Sequence, residues 1–267
     1  MFWGVAPVYF VIVSFASAFE VLAHRILWSV PLLALLILVG KQVQRLPRRT
    51  VLTLLACSVL LTANWLTFIY GIHEGKIAET SLGYYLNPLL SVLLGAFILG
   101  ESMSRLQWVA TSVAAFGVAI EVLAVGYVPW IALVLAGSFA IYGLLRRQVA
   151  VPAALGLGIE TVVLAPIALI YLIASNVSVD RTDVELVWLG LGGAVTVIPL
   201  LLFGAAASRL PLTVLGNFQY LGPTLSLAIA VLYYAEDITF GRWVSFAFVW
   251  LGIGLFVLDS LRRRTIT

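Results

Sequence analysis

The sequence predicts an all-α integral membrane protein of ten transmembrane helices, arranged as two inverted five-helix repeats. Three observations carry that expectation. The chain is 63% hydrophobic and 10% charged, whereas about a quarter of a soluble domain is charged. Its apolar residues gather into ten segments, most near the ~20 residues that a helix needs to cross the hydrocarbon core. A group of residues around a mid-segment proline recurs, without a gap, 135 positions downstream.

The segments cover residues 1–16, 19–39, 50–72, 78–99, 104–124, 127–145, 152–174, 185–207, 212–235 and 241–260. Connections are short, as in a compact helical bundle without a soluble domain. The first segment opens at MFWGVAPVYF and has no basic lead. It is therefore expected to be the second half of a helix whose beginning is absent, not a signal peptide. The second carries Glu20, His24 and Arg25 near its start. The third holds the single cysteine, Cys57, in VLTLLACSVLL, and then Asn64 and Trp65. With no second thiol and no ligand spacing, Cys57 reads as a buried apolar side chain.

The fourth segment contains LGYYLNPLL and the ninth contains NFQYLGPTL. At the fixed offset, Tyr85, Leu86, Pro88, Leu90, Ser91, Glu101, Trp108, Val109 and Gly117 match Tyr220, Leu221, Pro223, Leu225, Ser226, Glu236, Trp243, Val244 and Gly252. Chance supplies Leu and Val matches in an aliphatic chain. Pro, Glu, Trp and Gly in one register indicate duplication of a five-helix unit. Residues 1–124 and 127–260 are the two units, with 261–267 as a basic tail. Since five is odd, the second copy enters the membrane inverted, the architecture of secondary transporters.

Orientation follows from Lys and Arg. One side holds Lys41, Arg45, Arg48, Arg49, Arg105, Arg146, Arg147, Arg209, Arg262, Arg263 and Arg264; the other holds Lys76, Arg181 and Arg242. That asymmetry places both termini in the cytoplasm.

Pro88 and Pro223 each remove a mid-helix N–H and are expected to break or kink the fourth and ninth helices around a central cavity. Asn87 offers an amide beside one kink, and Gly222 permits close backbone approach at the other. A packing role for either proline alone is the plainer alternative. The expected cavity lining is Asn64, Trp65, Tyr84, Tyr85, Asn87, Asn217, Gln219 and Tyr220, a mix suited to a mid-sized, partly aromatic or zwitterionic solute. Tyr84 and Tyr85 lie roughly 100° apart on a helix, so one of the two faces the cavity.

Glu20, His24, Arg25 and Glu160 are the candidates for proton or charge coupling, because ionisable groups are expensive in hydrocarbon. Glu20 and His24 share a helix face, and Glu20 is expected to be neutralised by Arg25 or His24. A position at the headgroup level is the competing reading for all four. Glu79 and Glu121 read as interfacial, and Glu101 and Glu236 as turn residues.

Five blocks, FEVLAHRILWS (19–29), NWLTFIYG (64–71), AETSLGYYLNPL (78–89), GSFAIYGLLRR (137–147) and LGNFQYLGPTL (215–225), together resemble the RarD branch of the EamA-type drug/metabolite transporter superfamily. The resemblance spans nearly the whole chain. It implies a ten-helix inverted-repeat carrier of the bacterial inner membrane that exports small metabolites or drugs.

Other chemistry finds little support. There is no GxxxxGK[ST] loop, no HExxH or Cys/His cluster and no GxSxG, so no cofactor, metal or nucleic acid is expected. An uncoupled facilitator or channel is the main competitor to a proton-coupled exporter; an intramembrane enzyme using Glu20 and His24 is a weaker one. The expected partners are a small-molecule substrate and the lipid bilayer, with monomer or homodimer left open.

Overall fold

The computed structural model describes residues 8–74, 76–125, 127–232 and 239–264. Every regular element among them is helical. After α1 (residues 8–12) come α2 (Ala18–Val39), α3 (Arg48–His73), α4 (Ile77–Phe97), α5 (Arg105–Val125), α6 (Trp130–Gln148), α7 (Ala153–Ser175), α8 (Asp183–Ala207), α9 (Leu212–Gln219), α10 (Leu221–Leu232) and α11 (Phe240–Arg264). Glu236, the first seven residues and the end of the basic tail lie outside the described residues.

Among the described residues, seven helices, α2, α3, α5, α6, α7, α8 and α11, are long and apolar enough to cross a membrane. In α4, Glu79, Thr80, Asn87 and Pro88 dilute the apolar content over 21 residues. The expected ninth segment is two helices, α9 and α10, meeting at Tyr220. Pro223 accounts for the break: it cannot donate to the carbonyl of Gln219, four residues earlier, where α9 ends. Pro88, by contrast, lies inside α4, which runs on past it. Of the break or kink expected at each proline, a break occurs at the second, whereas α4 stays helical through the first. Around Gly222 there is open space, not the close backbone approach expected there.

Many large apolar side chains are exposed along the spans, among them Val59, Phe116, Leu123, Ile167, Ile170 and Leu202, as a lipid-facing surface requires. Inside, one cluster joins Tyr142, Phe203, Leu212 and Leu215 across α6, α8 and α9. A second joins Tyr85, Tyr220, Phe246 and Val249 with Ala114 and Val118 of α5.

The packing of α5 on α11 has a specific register. A Cβ on Gly117 would come within 2.6 Å of the Ser245 carbonyl oxygen, and one on Gly252 within 2.6 Å of the Ala110 carbonyl oxygen. Late residues of α5 thus meet early residues of α11 and the reverse, so the two helices run antiparallel. Gly117 and Gly252 are also partners at the 135-residue offset, and so are Ala110 and Ser245. The backbones can approach this closely because neither glycine carries a side chain.

The ends of α8 and α9 are capped by charge. Thr182 and Glu185 form a reciprocal capping box at the start of α8. At α9, the first-turn N–H groups of Leu212 and Thr213, which have no partner within the helix, donate to the Glu101 carboxylate at 2.7 and 2.8 Å, with Arg147 3.9 Å from Glu101. Glu101 is a turn residue, as expected, and its turn reaches a helix more than a hundred residues away.

Candidate functional site

Glu20 lies in the first turn of α2, where Ser17 caps the helix. Its carboxylate is held by the α7–α8 loop: Arg181 donates from Nε to Oε1 at 3.1 Å and from Nη2 to Oε2 at 2.8 Å, and Ser178 donates to Oε1 at 3.1 Å. His24 Nε2 lies 2.9 Å from the same Ser178 hydroxyl. The carboxylate beside Arg181 raises that guanidinium above its ordinary range. Glu20 and His24 are thus brought together, and the counterion is Arg181 instead of the expected Arg25. The reason is angular: Arg25 is about 100° further round the helix and faces α8, where its Nε donates to Thr196 Oγ1 at 2.8 Å.

Glu160 is fully buried on α7, away from Glu20 and its loop. Arg146 Nη1 lies 3.4 Å from its Oε1, Tyr142 donates to Oε2 at 3.2 Å, and Ser58 donates to its backbone carbonyl. Arg146 is 3% exposed, so it is not one of the loop charges that the sequence suggested. Its guanidinium lies against Gly156, where a Cβ would occupy its place. A charge this deep is tolerated because a carboxylate of opposite sign meets it.

The polar residues beside the prolines form a third group. Asn87 Nδ2 donates to Gln219 Oε1 at 2.5 Å, and Gln219 Nε2 to Ser91 Oγ at 3.3 Å, so the two amides join α4 to α9. Asn87 is 8% exposed, and its Oδ1 is buried without a hydrogen-bond partner among the described residues. Asn217 donates within its own helix to the Thr213 carbonyl, and Asn64 donates to Leu135 O and Ser138 Oγ of α6.

The aromatic candidates divide. Tyr85 and Tyr220 are core residues packed with Phe246, on a side of α4 and of the α9–α10 junction closed by α5 and α11; of the adjacent tyrosines, one of which was expected to face a cavity, Tyr85 is the packed one. Tyr84 is 50% exposed, on the side of α4 that faces Phe68 of α3. Its ring meets Phe68 edge-on at 6.3 Å, and Phe68 lies 6.4 Å from Phe10. The Arg25 guanidinium sits 5.4 Å from the Phe10 centroid and 5.6 Å from that of Trp65. Tyr84, Asn87 and Ser91, spaced three and four apart, share one face of α4. A run of polar and aromatic side chains thus extends from Arg25 past the half-exposed Tyr84 toward the Asn87–Gln219 pair.

Ser178, Thr196, Phe10 and Phe68 complete these clusters without having been singled out in the sequence, and Arg146 and Arg181 entered there only as orientation charges. Glu79 is also more than interfacial: it is buried, and accepts from Tyr127 at 2.6 Å and from the Ile131 N–H at the start of α6 at 3.2 Å. Glu121 pairs with Arg242 at 3.6 Å.

Comparison with known proteins bears on what this arrangement serves. Residues 1–123 match the EamA-like transporter family. An uncharacterized transporter of Vibrio cholerae is 44% identical, over 97% of this chain and 89% of that protein. A protein RarD of Escherichia coli is 40% identical, over 98% and 93%. A chloramphenicol-sensitive protein RarD of Pseudomonas aeruginosa is 34% identical, over 92% and 86%. One crystal structure superposes with a TM-score of 0.76 at 20% identity, covering 96% of this chain and 94% of its own, a likeness of fold.

Proposed function

The chain belongs to the EamA-like transporter family, a bacterial family of multi-pass membrane proteins, and from that premise we propose that it is a secondary carrier exporting small organic metabolites or drugs across the cytoplasmic membrane by alternating access. The observation that carries this reading is the run of polar and aromatic side chains around the half-exposed Tyr84, from Arg25 and Trp65 to the Asn87–Gln219 bridge. Aromatic faces beside a few placed polar groups are the lining that a carrier site requires.

The proposed architecture is two inverted five-helix units, residues 1–124 and 127–260, with both termini cytoplasmic. The reciprocal contact of Gly117 with Ser245 and of Gly252 with Ala110, between antiparallel helices, supports a two-fold relation lying in the membrane plane. Pairings of α2 with α7 and of α4 with α9 across the halves fit the same relation.

Coupling divides into two readings. A proton-driven exporter needs a carboxylate that can release its counterion and take a proton; Glu20 and Glu160 are the proposed carriers, with His24 as relay. Uncoupled facilitation is favoured by a specific observation: both carboxylates already face an arginine. Solute flux in proteoliposomes, measured with and without an imposed pH gradient, decides between them. Saturable flux driven by the gradient and lost in Glu20→Gln or Glu160→Gln establishes coupling. Saturable flux indifferent to the gradient leaves a facilitator, and non-saturable flux without counter-transport would indicate a channel.

A further inference from the structure

The guanidinium of Arg25 stands apart from the other buried or half-buried arginines. Arg146 faces Glu160, Arg147 faces Glu101, Arg181 faces Glu20 and Arg242 faces Glu121. Arg25 has no carboxylate within 4 Å among the described residues. It lies on α2 about 10 Å along the helix from Ala18 at the usual rise, where a bare cation is costly. Its Nε is satisfied by Thr196, and Gly192 leaves room for its stem, since a Cβ there would come within 2.7 Å of Arg25 Cγ. Its two Nη atoms have no hydrogen-bond acceptor among the described residues and are not fully buried. The side chain is anchored at one end and presents its fork of donors at the other.

The surroundings select the shape of what would meet that fork. Phe10 and Trp65 flank the guanidinium, and the half-exposed ring of Tyr84 lies beyond, against Phe68. Further along the same face of α4, Asn87 Oδ1 is a buried acceptor lacking a donor. Resting on the carrier function proposed above, we infer that the transported solute is an aromatic or otherwise planar organic oxyanion, whose acidic group takes the place of the missing carboxylate at Arg25 and whose body lies among Phe10, Trp65 and Tyr84. A planar fork matches carboxylate and phosphate oxygens alike, and matches them better than an ammonium does.

The test uses the full chain purified in detergent, with phenylacetate, phenyl phosphate and the neutral isostere phenylacetamide as probes, read by the thermal unfolding midpoint and by tryptophan fluorescence. At least one of the two anions raises the midpoint and changes the fluorescence where the amide does not; which one does so separates a carboxylate from a phosphate site. Arg25→Gln weakens anion binding by about ten- to a hundredfold, the scale of lost charge-assisted hydrogen bonds, and abolishes the preference over the amide. Arg25→Lys keeps the charge without the fork and retains a weaker preference, which covers the case in which Arg25→Gln does not fold. Equal binding of amide and anion, an anion preference that survives Arg25→Gln, or no response to either anion would overturn the inference. Counterflow of the same probes in proteoliposomes separates it from the carrier function: saturable exchange of the amide indifferent to Arg25→Gln leaves a carrier and removes the anion site, whereas Arg25-dependent anion binding without counterflow leaves the anion site and removes the carrier.

Discussion

Arg181 grips Glu20 through two parallel hydrogen bonds, 3.1 and 2.8 Å long, across 161 positions of sequence. The pair fastens the α7–α8 loop to the first turn of α2, and Ser178 and His24 extend the tie. Bidentate geometry of this kind is worth more than an ordinary surface ion pair. Glu20→Gln and Arg181→Gln each lower the unfolding midpoint in detergent, and the double variant falls less than the two losses together. The expected coupling is about 0.5–3 kcal/mol; strict additivity in the double-mutant cycle would show that the contact contributes nothing.

The α5–α11 contact leaves no room for side chains at two symmetric points. Gly117→Val and Gly252→Val each cost about 1–3 kcal/mol through overpacking against a backbone carbonyl. Gly254, with open space around a would-be Cβ, supplies the control. Gly254→Ala is neutral or stabilises by about 0.5–1 kcal/mol, the helix preference for alanine. Thermal unfolding of the three variants checks the ordering, and a tolerated valine at both symmetric positions would contradict the register.

Pro223 ends α9 by withholding a donor from Gln219. Pro223→Ala restores that donor, lets α9 and α10 join, and increases hydrogen-exchange protection around residues 219–224 while lowering solute flux. Pro88→Ala, inside a helix that is already continuous, changes protection less. Insertion is unaffected in both. Full flux with Pro223→Ala, despite a joined helix, would mean that the break has no part in transport.

Tyr127 lies in the α5–α6 connection, where its hydroxyl donates to Glu79. The neighbouring carboxylate, through that hydrogen bond first, raises the pKa of the phenol above its usual value. The folded protein therefore keeps this proton more tightly than the unfolded chain. The stabilisation is complete below the unfolded value of about 10 and is lost as pH rises through the folded value. Phenolate absorbance, compared between the wild type and Tyr127→Phe, shows this tyrosine titrating late, and Glu79→Gln brings it back toward normal. Titration at or below the ordinary pH in the wild type would refute the contact.

Membrane class and most segment positions were legible in the sequence because apolar content and span length are properties of contiguous residues. The partners of buried charges were not. Arg146 and Arg147 are adjacent, and nothing in their order says that one turns inward to Glu160 while the other reaches Glu101 at the surface; a rotation of about 100° per residue decides it. The same rotation separates Tyr84, which is half-exposed, from Tyr85, which is packed against Phe246. Arg181 sits in a polar loop, where a solvated charge is the ordinary expectation, and its carboxylate lies six helices earlier in the chain. Phe10 and Phe68 went unmarked because 14 phenylalanines in an apolar chain offer no contrast.

Glu101 fixes the first turn of α9 to the α4–α5 corner, and Asn87 and Ser91 fix its last residue to the middle of α4. An eight-residue rod fastened to the same neighbour at both ends has no independent freedom to tilt. Although α9 follows α8 in the chain, it is seated on α4, and the joint at Tyr220 separates it from α10. For the carrier proposed above, the consequence is that any change of access is taken up at the Tyr220 joint while α9 stays seated on α4 as a fixed floor.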